Sequence, residues 1–335
     1  MAKHTIVLIP GDGIGPEVVG AAQRVMEAAG LDAQWVEMPA GAVAVEKGYG
    51  DVLPKETLAA IVQHKVALKG PVTTPIGGGF ASVNVQLRKK LNLYAAVRPV
   101  RSMPGIKTRY ENVDIVVIRE NTEGLYSGIE NEVTAGVVTS MKVATEVACT
   151  RIAKYAFDYA RSRGRKRVTA FHKANIMKLT DGMFIRCAKK VHDADYTDVV
   201  YDELIIDAAS MKLIQDPTKF DMILCENLYG DIVSDMCAAL VGGLGVVPGA
   251  NIGEQAAVFE AVHGSAPDIA GKNMANPLAC IMSGVMMLNH IGETAVAAKI
   301  KTAYNNILAE GNCLTRDLGG TAGTAEFTAA LISHL

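Results

Sequence analysis

The chain has 335 residues, 50% hydrophobic and 20% charged, with a formal net charge of −2. That composition buries a large core and excludes disordered, collagen-like and coiled-coil classes, while the length suits about two domains. The near-neutral balance disfavours nucleic acid or an anionic membrane surface as a partner.

The apolar run Pro277–Leu288 is too short to cross a bilayer and is broken by Ser283 and Gly284. The first ten residues hold only Ile6–Ile9 as an apolar stretch, unlike a secretory leader. Six cysteines (149, 187, 225, 237, 280 and 313) avoid C-x-x-C spacing and have mostly apolar neighbours, as buried free thiols in a reducing compartment do. These features predict a globular protein of the cytoplasm.

In chain order, His4–Ile9 reads as a strand covered on both faces. Gly11-Asp12-Gly13-Ile14-Gly15-Pro16 follows, but Pro16 stands where the dinucleotide fingerprint G-x-G-x-x-G needs its last glycine. A tight glycine turn lining a cleft is the better expectation. Pro16–Ala29 predicts a helix, with proline at its start, Glu17 near the positive end and Gly30 as its stop. A helix near Pro54–His64 and a strand at Val66–Lys69 come next.

Ser82, Asn84 and Arg88, followed by Arg98 and then by Arg119, suit a small polycarboxylate. Guanidinium forks bind carboxylates bidentately, and a hydroxyl and an amide serve a further one; ordinary surface ion pairs are the bland alternative. Val113–Arg119 is a predicted strand. Leu125–Val133 and Gly136–Val143 form a hairpin signal around Thr134-Ala135-Gly136, and a lone hairpin is marginal in water, so it is expected to pair with something else. Tyr126, where the hairpin begins, is either a proton donor or a packed aromatic.

A long helix at Thr145–Arg163 leads to a strand at Arg167–Phe171, a helix at Thr180–His192 and a strand at Val199–Ile206. Lys173, at a strand end where α/β ligand sites gather, suits a general base if the site encloses it and lowers its pKa; a solvated lysine is the alternative. Asp207 ends an apolar strand. After a strand at Met222–Cys225, a helix is predicted over Gly230–Val241, on which Asp231 and Asp235 share a face at i,i+4. Two like charges there ask for a cation such as Mg²⁺ or Mn²⁺, with Asp207 a possible third ligand. The alternative is one Asp satisfying the helix dipole beside a solvent-facing one. Val262–Gly271 and Asn276 precede a hydrophobic helix at Pro277–His290, and Asp268 suits the hydroxyls of a nucleotide ribose. Strands alternating with helices predict a mostly parallel sheet, and no linker divides the chain, so two domains must be interwoven.

Four segments together are highly specific, Arg119–Gly124, His172–Asn175, Asn227–Asp235 and His263–Asn276, within a similarity that starts at Ile9–Gly15. On them the chain, up to Thr315–Gly320, resembles the β-decarboxylating dehydrogenases that act on isocitrate, isopropylmalate, homoisocitrate and tartrate. It is most similar to the NAD-dependent isocitrate dehydrogenases, because Ser82 and Asn84 stand where isopropylmalate enzymes carry apolar residues.

The resemblance implies an isocitrate/isopropylmalate dehydrogenase-like α/β fold of two interwoven domains. Residues 1–95 and 243–335 would form a large domain on the cofactor-binding side. Residues 96–242 would form a small domain for dimerisation, substrate and metal, with a clasp hairpin at about 124–143 and the site in the cleft between the domains. It also implies that Arg88, Arg98 and Arg119 clamp the carboxylates of isocitrate, with Thr74, Ser82 and Asn84 beside them, and that Tyr126 and Lys173 move protons. Mg²⁺ or Mn²⁺ would sit on Asp231, Asp235 and Asp207, the last offered, like Lys173, by the second subunit of a homodimer. NAD would lie against His263, Gly264, Ser265, Ala266, Pro267, Asp268, Ile269 and Asn276. The competing readings are homoisocitrate as substrate and a non-catalytic regulatory subunit.

Overall fold

The computed structural model describes residues 2–73 and 81–335; the substrate residue expected at Thr74 lies outside them. The chain resolves into two compact units. One combines the chain up to Leu93 with Ser102–Arg109 and Ala238–Leu335, and the other comprises Tyr94–Arg101 and Tyr110–Cys237.

The first unit opens with β1 (His4–Ile9), α1 (Gly15–Ala28), β2 (Ala33–Glu37), α2 (Ala42–Glu46), α3 (Lys55–His64), β3 (Val66–Lys69) and α4 (Val83–Lys90). The middle of the chain builds the second unit from β4 (Ala95–Arg101), β5 (Asp114–Glu120), β6 (Gly124–Thr134), β7 (Val137–Val143), α5 (Glu146–Arg163), β8 (Arg167–His172), α6 (Thr180–Asp195), β9 (Val200–Ile205), α7 (Ile206–Gln215), β10 (Met222–Cys225) and α8 (Asn227–Leu240). The chain then returns to the first unit with β11 (Pro248–Ile252), β12 (Ala257–Ala261), α9 (Leu278–His290), α10 (Thr294–Glu310) and α11 (Thr324–Ser333).

In the first unit the strands run β2-β1-β3-β12-β11. β1, β2, β3 and β12 are parallel and β11 is antiparallel to β12. The all-apolar character of β3 up to Lys69 follows from burial of every residue in it, as a strand covered on both faces requires. A core of Val7, Ile9, Leu53, Ile61, Leu87 and Val258 packs beneath it. α9 is apolar all round because ten of its residues are buried. Where α9 crosses α1, a Cβ at Gly284 would stand 3.0 Å from Met26 Sδ, so glycine sets how closely the two helices approach.

In the second unit the order is β4-β5-β10-β8-β9. β4 is antiparallel to β5 and the others are parallel, so the expected mostly parallel sheet carries an antiparallel pair in each unit. β9 is only half-buried, with no fully buried residue, because it is the edge strand. Thr145 caps α5 by accepting from Ala148 N, and Gly164 ends it in the left-handed region at φ 66°. β6 and β7 form a separate two-stranded sheet whose turn is Ala135-Gly136. Among the described residues no helix is long and apolar enough to cross a membrane. All six cysteines are free, and five of them are buried.

Candidate active site

The glycine turn after β1 is filled by protein. A Cβ at Gly11 would meet Pro71 O at 2.1 Å and one at Gly13 would meet Ser265 O at 2.0 Å. Asp12 N donates to Pro71 O and Ile14 N to Ser265 O, so these amides are not offered to a phosphate. The Asp12 carboxylate accepts from Ala42 N and Val43 N, capping α2, and from Thr73 N at 2.5 Å. The motif therefore serves close packing beside the 263–269 loop rather than anion binding.

That loop carries the group of expected cofactor residues. His263 is pushed below its ordinary pKa by burial, with the Gly264 carbonyl opposing. Its Nδ1 lies 3.0 Å from Gly264 O, while Nε2 is buried with no hydrogen-bond partner among the described residues. A neutral ring donating from Nδ1 leaves Nε2 as an open acceptor, which suits the amino group of a purine. The Asp268 carboxylate is exposed, and Lys272 Nζ is held on the Asp268 carbonyl at 2.7 Å. Ser265 Oγ pairs with Thr73 Oγ1 at 2.7 Å, Ala266 is left-handed at φ 38°, and Pro267–Ile269 form a short 3₁₀ turn. Gly264 has open space where a side chain would be. Asn276 is largely committed within the protein: Oδ1 caps α9 through Leu278 N and Nδ2 donates to Asp317. These residues fit an adenosine-bearing cofactor through the orphaned His263 Nε2 and the open Asp268.

On α4, Ser82 is exposed at the helix start without capping it, and Asn84 Oδ1 is buried with no hydrogen-bond partner among the described residues. Arg88 sits one turn further along, near enough to help hold the Glu260 carboxyl below its usual range.

In the second unit, register brings the other arginines together. Ala96 on β4 pairs with Arg119 on β5, so Arg98, two residues along, lies on the same face as Arg119. α8 begins at Asn227, earlier than expected at Gly230, because the Glu226 carboxylate accepts from Tyr229 N at 2.9 Å and caps the first turn. Its Asp231 and Asp235 face this pair. Arg119, fully buried, ion-pairs with Asp231; Arg98 reaches Asp235 at 3.2 Å, Asp231 at 3.6 Å and Ser234 Oγ at 2.5 Å. The two carboxylates are thus compensated by guanidinium groups, a device the i,i+4 spacing alone did not reveal. Burial pushes the Asp235 carboxyl up, and Asp231 adds to this, while Arg98 and Arg119 oppose it.

Tyr126 OH donates to Asp231 Oδ2 at 2.5 Å, and the Arg119 guanidinium lies 5.1 Å from its ring centre. Burial, then the Asp231 carboxylate, raises the phenol pKa, so the group is a donor. Asp207 lies in the first turn of α7 rather than at a strand end, because β9 stops at Ile205. It is exposed and accepts from Lys173 Nζ at 2.5 Å, which lowers its pKa. Lys173 is less enclosed than expected, with 27% of its side chain accessible. Among the described residues no group of three acidic, His or Cys side chains is assembled to hold a metal, so within one chain Asp207 does not complete the expected set. Asp231 and Asp235 are hard oxygen donors on one helix face, Asp235 with half its side chain exposed. They fit Mg²⁺ or Mn²⁺, which commonly take one or two carboxylates plus substrate and water. Asn227 and Ser234, which hold the arginines, were not identified from sequence; their place in the same segment as Asp231 was the available signal.

A family model for isocitrate/isopropylmalate dehydrogenase matches residues 5–331. Isocitrate dehydrogenase (NAD) catalytic subunit 5, mitochondrial, of Arabidopsis thaliana is 52% identical over 332 residues, covering 99% of this chain and 88% of that protein. A regulatory subunit of the mitochondrial isocitrate dehydrogenase (NAD) of Dictyostelium discoideum is 51% identical, covering 98% of this chain and 91% of its own length. The crystal structure of isocitrate dehydrogenase from Methylococcus capsulatus matches with a TM-score of 0.95 at 49% identity, covering 99% of each chain. The expected fold therefore holds. The cytoplasmic expectation does not: both of these relatives are named mitochondrial. It rested on buried free thiols and the lack of a leader-like apolar stretch, and a reducing interior is not peculiar to the cytoplasm.

Proposed function

The chain belongs to the isocitrate/isopropylmalate dehydrogenase family, and we propose that it is a catalytic NAD-dependent isocitrate dehydrogenase working with Mg²⁺ or Mn²⁺. The observation that carries this reading is the meeting of Arg98 and Arg119, on one sheet face, with Asp231 and Asp235 of α8 and Tyr126 of β6. It joins carboxylate-binding forks, hard metal ligands and a protonated phenol.

Asp231 and Asp235 would hold the cation, which would supply Lewis acidity toward the substrate's oxygens, and NAD would supply the hydride acceptor. Arg88, Arg98 and Arg119 hold the substrate carboxylates, and Ser82 and Asn84 hydrogen-bond the one that distinguishes isocitrate from an alkyl-substituted malate. Lys173, as the neutral amine, takes the proton from the 2-hydroxyl, and Asp207, 2.5 Å from its Nζ, orients it. After CO2 leaves, the Tyr126 hydroxyl protonates C3, giving 2-oxoglutarate. His263 Nε2 and the Asp268 carboxylate receive the adenosine end of NAD, the carboxylate accepting from ribose hydroxyls and disfavouring a 2′-phosphate.

The test is turnover by the purified single chain with NAD and Mn²⁺ on isocitrate, homoisocitrate, 3-isopropylmalate and tartrate. Isocitrate is expected to be strongly preferred. No turnover on any of the four would make the chain a regulatory subunit, and a preference for homoisocitrate would reassign the substrate.

The protein is further proposed to work as a homodimer that shares its active sites, with Lys173 and Asp207 serving the second subunit's site. The β6–β7 hairpin exposes Val133, Val137, Val138 and Met141, each about half accessible or more. A two-stranded sheet presenting that apolar surface needs a partner. Val138→Lys is expected to reduce the mass measured by light scattering by roughly half, with activity falling in parallel. An unchanged mass would remove the hairpin from the interface.

A further inference from the structure

Arg119 is the last residue but one of a buried strand, and what aims it comes from the neighbouring chain segment. Its β10 register partner is Cys225, and two residues later the chain enters α8, laying that helix's first turn over the arginine. Arg119 Nε and Nη2 both donate to Asn227 Oδ1, at 3.1 and 2.7 Å. Asn227 is itself buried, and its Nδ2 donates to Glu123 O at 2.8 Å, which fixes the amide so that oxygen faces the guanidinium. One turn on, a Cβ at Gly230 would stand 2.5 Å from Arg119 Cγ and 2.6 Å from its Cβ. The stem beneath is fully buried, leaving no room for it to yield. Glycine is among the poorest residues inside a helix, so its presence in the first turn of α8 answers this contact.

We infer that Asn227 and Gly230 are positioning residues that seat Arg119, fixing its Nε edge so that the opposite edge faces Asp231 and substrate. The inference rests on the proposed role of Arg119 as a carboxylate clamp. Removing the Asn227 oxygen leaves two buried donors of a cation without their acceptor, and the guanidinium turns to recover one.

The experiment is steady-state kinetics of the full chain with Mn²⁺, isocitrate and NAD, after circular dichroism confirms folding. Asn227→Leu and Gly230→Ala are each expected to raise KM for isocitrate by about tenfold or more, leaving KM for NAD within roughly twofold. Asn227→Asp, which keeps an acceptor at that position, is expected to recover most of the loss. In an Arg119→Lys background, which lacks the Nε edge, Asn227→Leu is expected to add no more than about twofold, a non-additive cycle. Full additivity there, or an equal rise in KM for NAD, would overturn the seat while leaving the clamp intact. An unchanged isocitrate KM in Arg119→Lys alone would instead overturn the clamp, and the seat with it.

Discussion

Replacing Tyr126 by phenylalanine is expected to slow oxidative decarboxylation of isocitrate by about two to four orders of magnitude, the usual contribution of a positioned acid. The reduction of oxalosuccinate by NADH should survive. The argument starts from the hydroxyl. It donates to Asp231 Oδ2 at 2.5 Å, and burial together with that carboxylate raises its pKa, so a proton is held at neutral pH beside a proposed metal ligand. Phenylalanine deletes the proton and keeps the ring that lies against Arg119, so the clamp and the metal carboxylates remain assembled. Reduction of the keto acid needs hydride transfer and a proton on the C2 oxygen, the task given to Lys173, and no proton at C3. Measuring both reactions in one variant therefore separates the two proton roles. If both fall together with a raised KM for isocitrate, Tyr126 is a binding group and the proton for C3 comes from elsewhere.

The chemistry of this site was more legible in the sequence than its architecture. Asp231 and Asp235 could be paired because a helix repeats every 3.6 residues, and α8 places both toward Arg98 and Arg119 as that period demands. What compensates them was hidden, since β4 reads poorly as a strand. Its Ala-Ala-Val-Arg-Pro-Val-Arg carries a proline and two charges, features that argue against a sheet interior. Only the antiparallel register with β5 shows Arg98 and Arg119 on one face. The helix expected from Gly230 starts at Asn227 instead, because the Glu226 carboxylate next to it accepts from Tyr229 N and caps the first turn. The glycine motif illustrates the reverse. Pro16 argued against a phosphate loop, and the structure adds that the Asp12 and Ile14 amides and the space beside Gly11 and Gly13 are taken up by Pro71 and Ser265. The edge position of β9 and the exposure of Lys173 depend on which strands lie alongside, information that no local pattern carries.

The largest expected effect on stability lies in the first unit. Lys69 on β3 and Glu260 on β12 face each other in parallel register. Their Nζ–Oε2 contact is 2.5 Å, with Lys69 only 1% exposed. Asn251 Nδ2 donates to the other carboxylate oxygen at 2.7 Å, and Lys69 Nζ also donates to Gly70 O at 2.8 Å. Glu260→Gln leaves a buried ammonium without its counter-charge, a change that typically costs about 3–5 kcal/mol and is expected to lower the melting temperature by about 10 °C. Burial alone would raise the Glu260 carboxyl; the attraction of Lys69 and then Arg88 outweighs it, so its folded pKa lies below the ordinary value. A depressed carboxyl stabilises the fold above its unfolded pKa, and that contribution is lost as pH falls through the folded value. The gap in melting temperature between the natural chain and Glu260→Gln should therefore be full at neutral pH and close below about pH 4. Lys69→Met combined with Glu260→Gln should recover much of the loss at neutral pH, because it removes the stranded charge rather than its partner alone. A Glu260→Gln chain that melts like the natural one at neutral pH would overturn the assignment of this ion pair as a large contributor to stability.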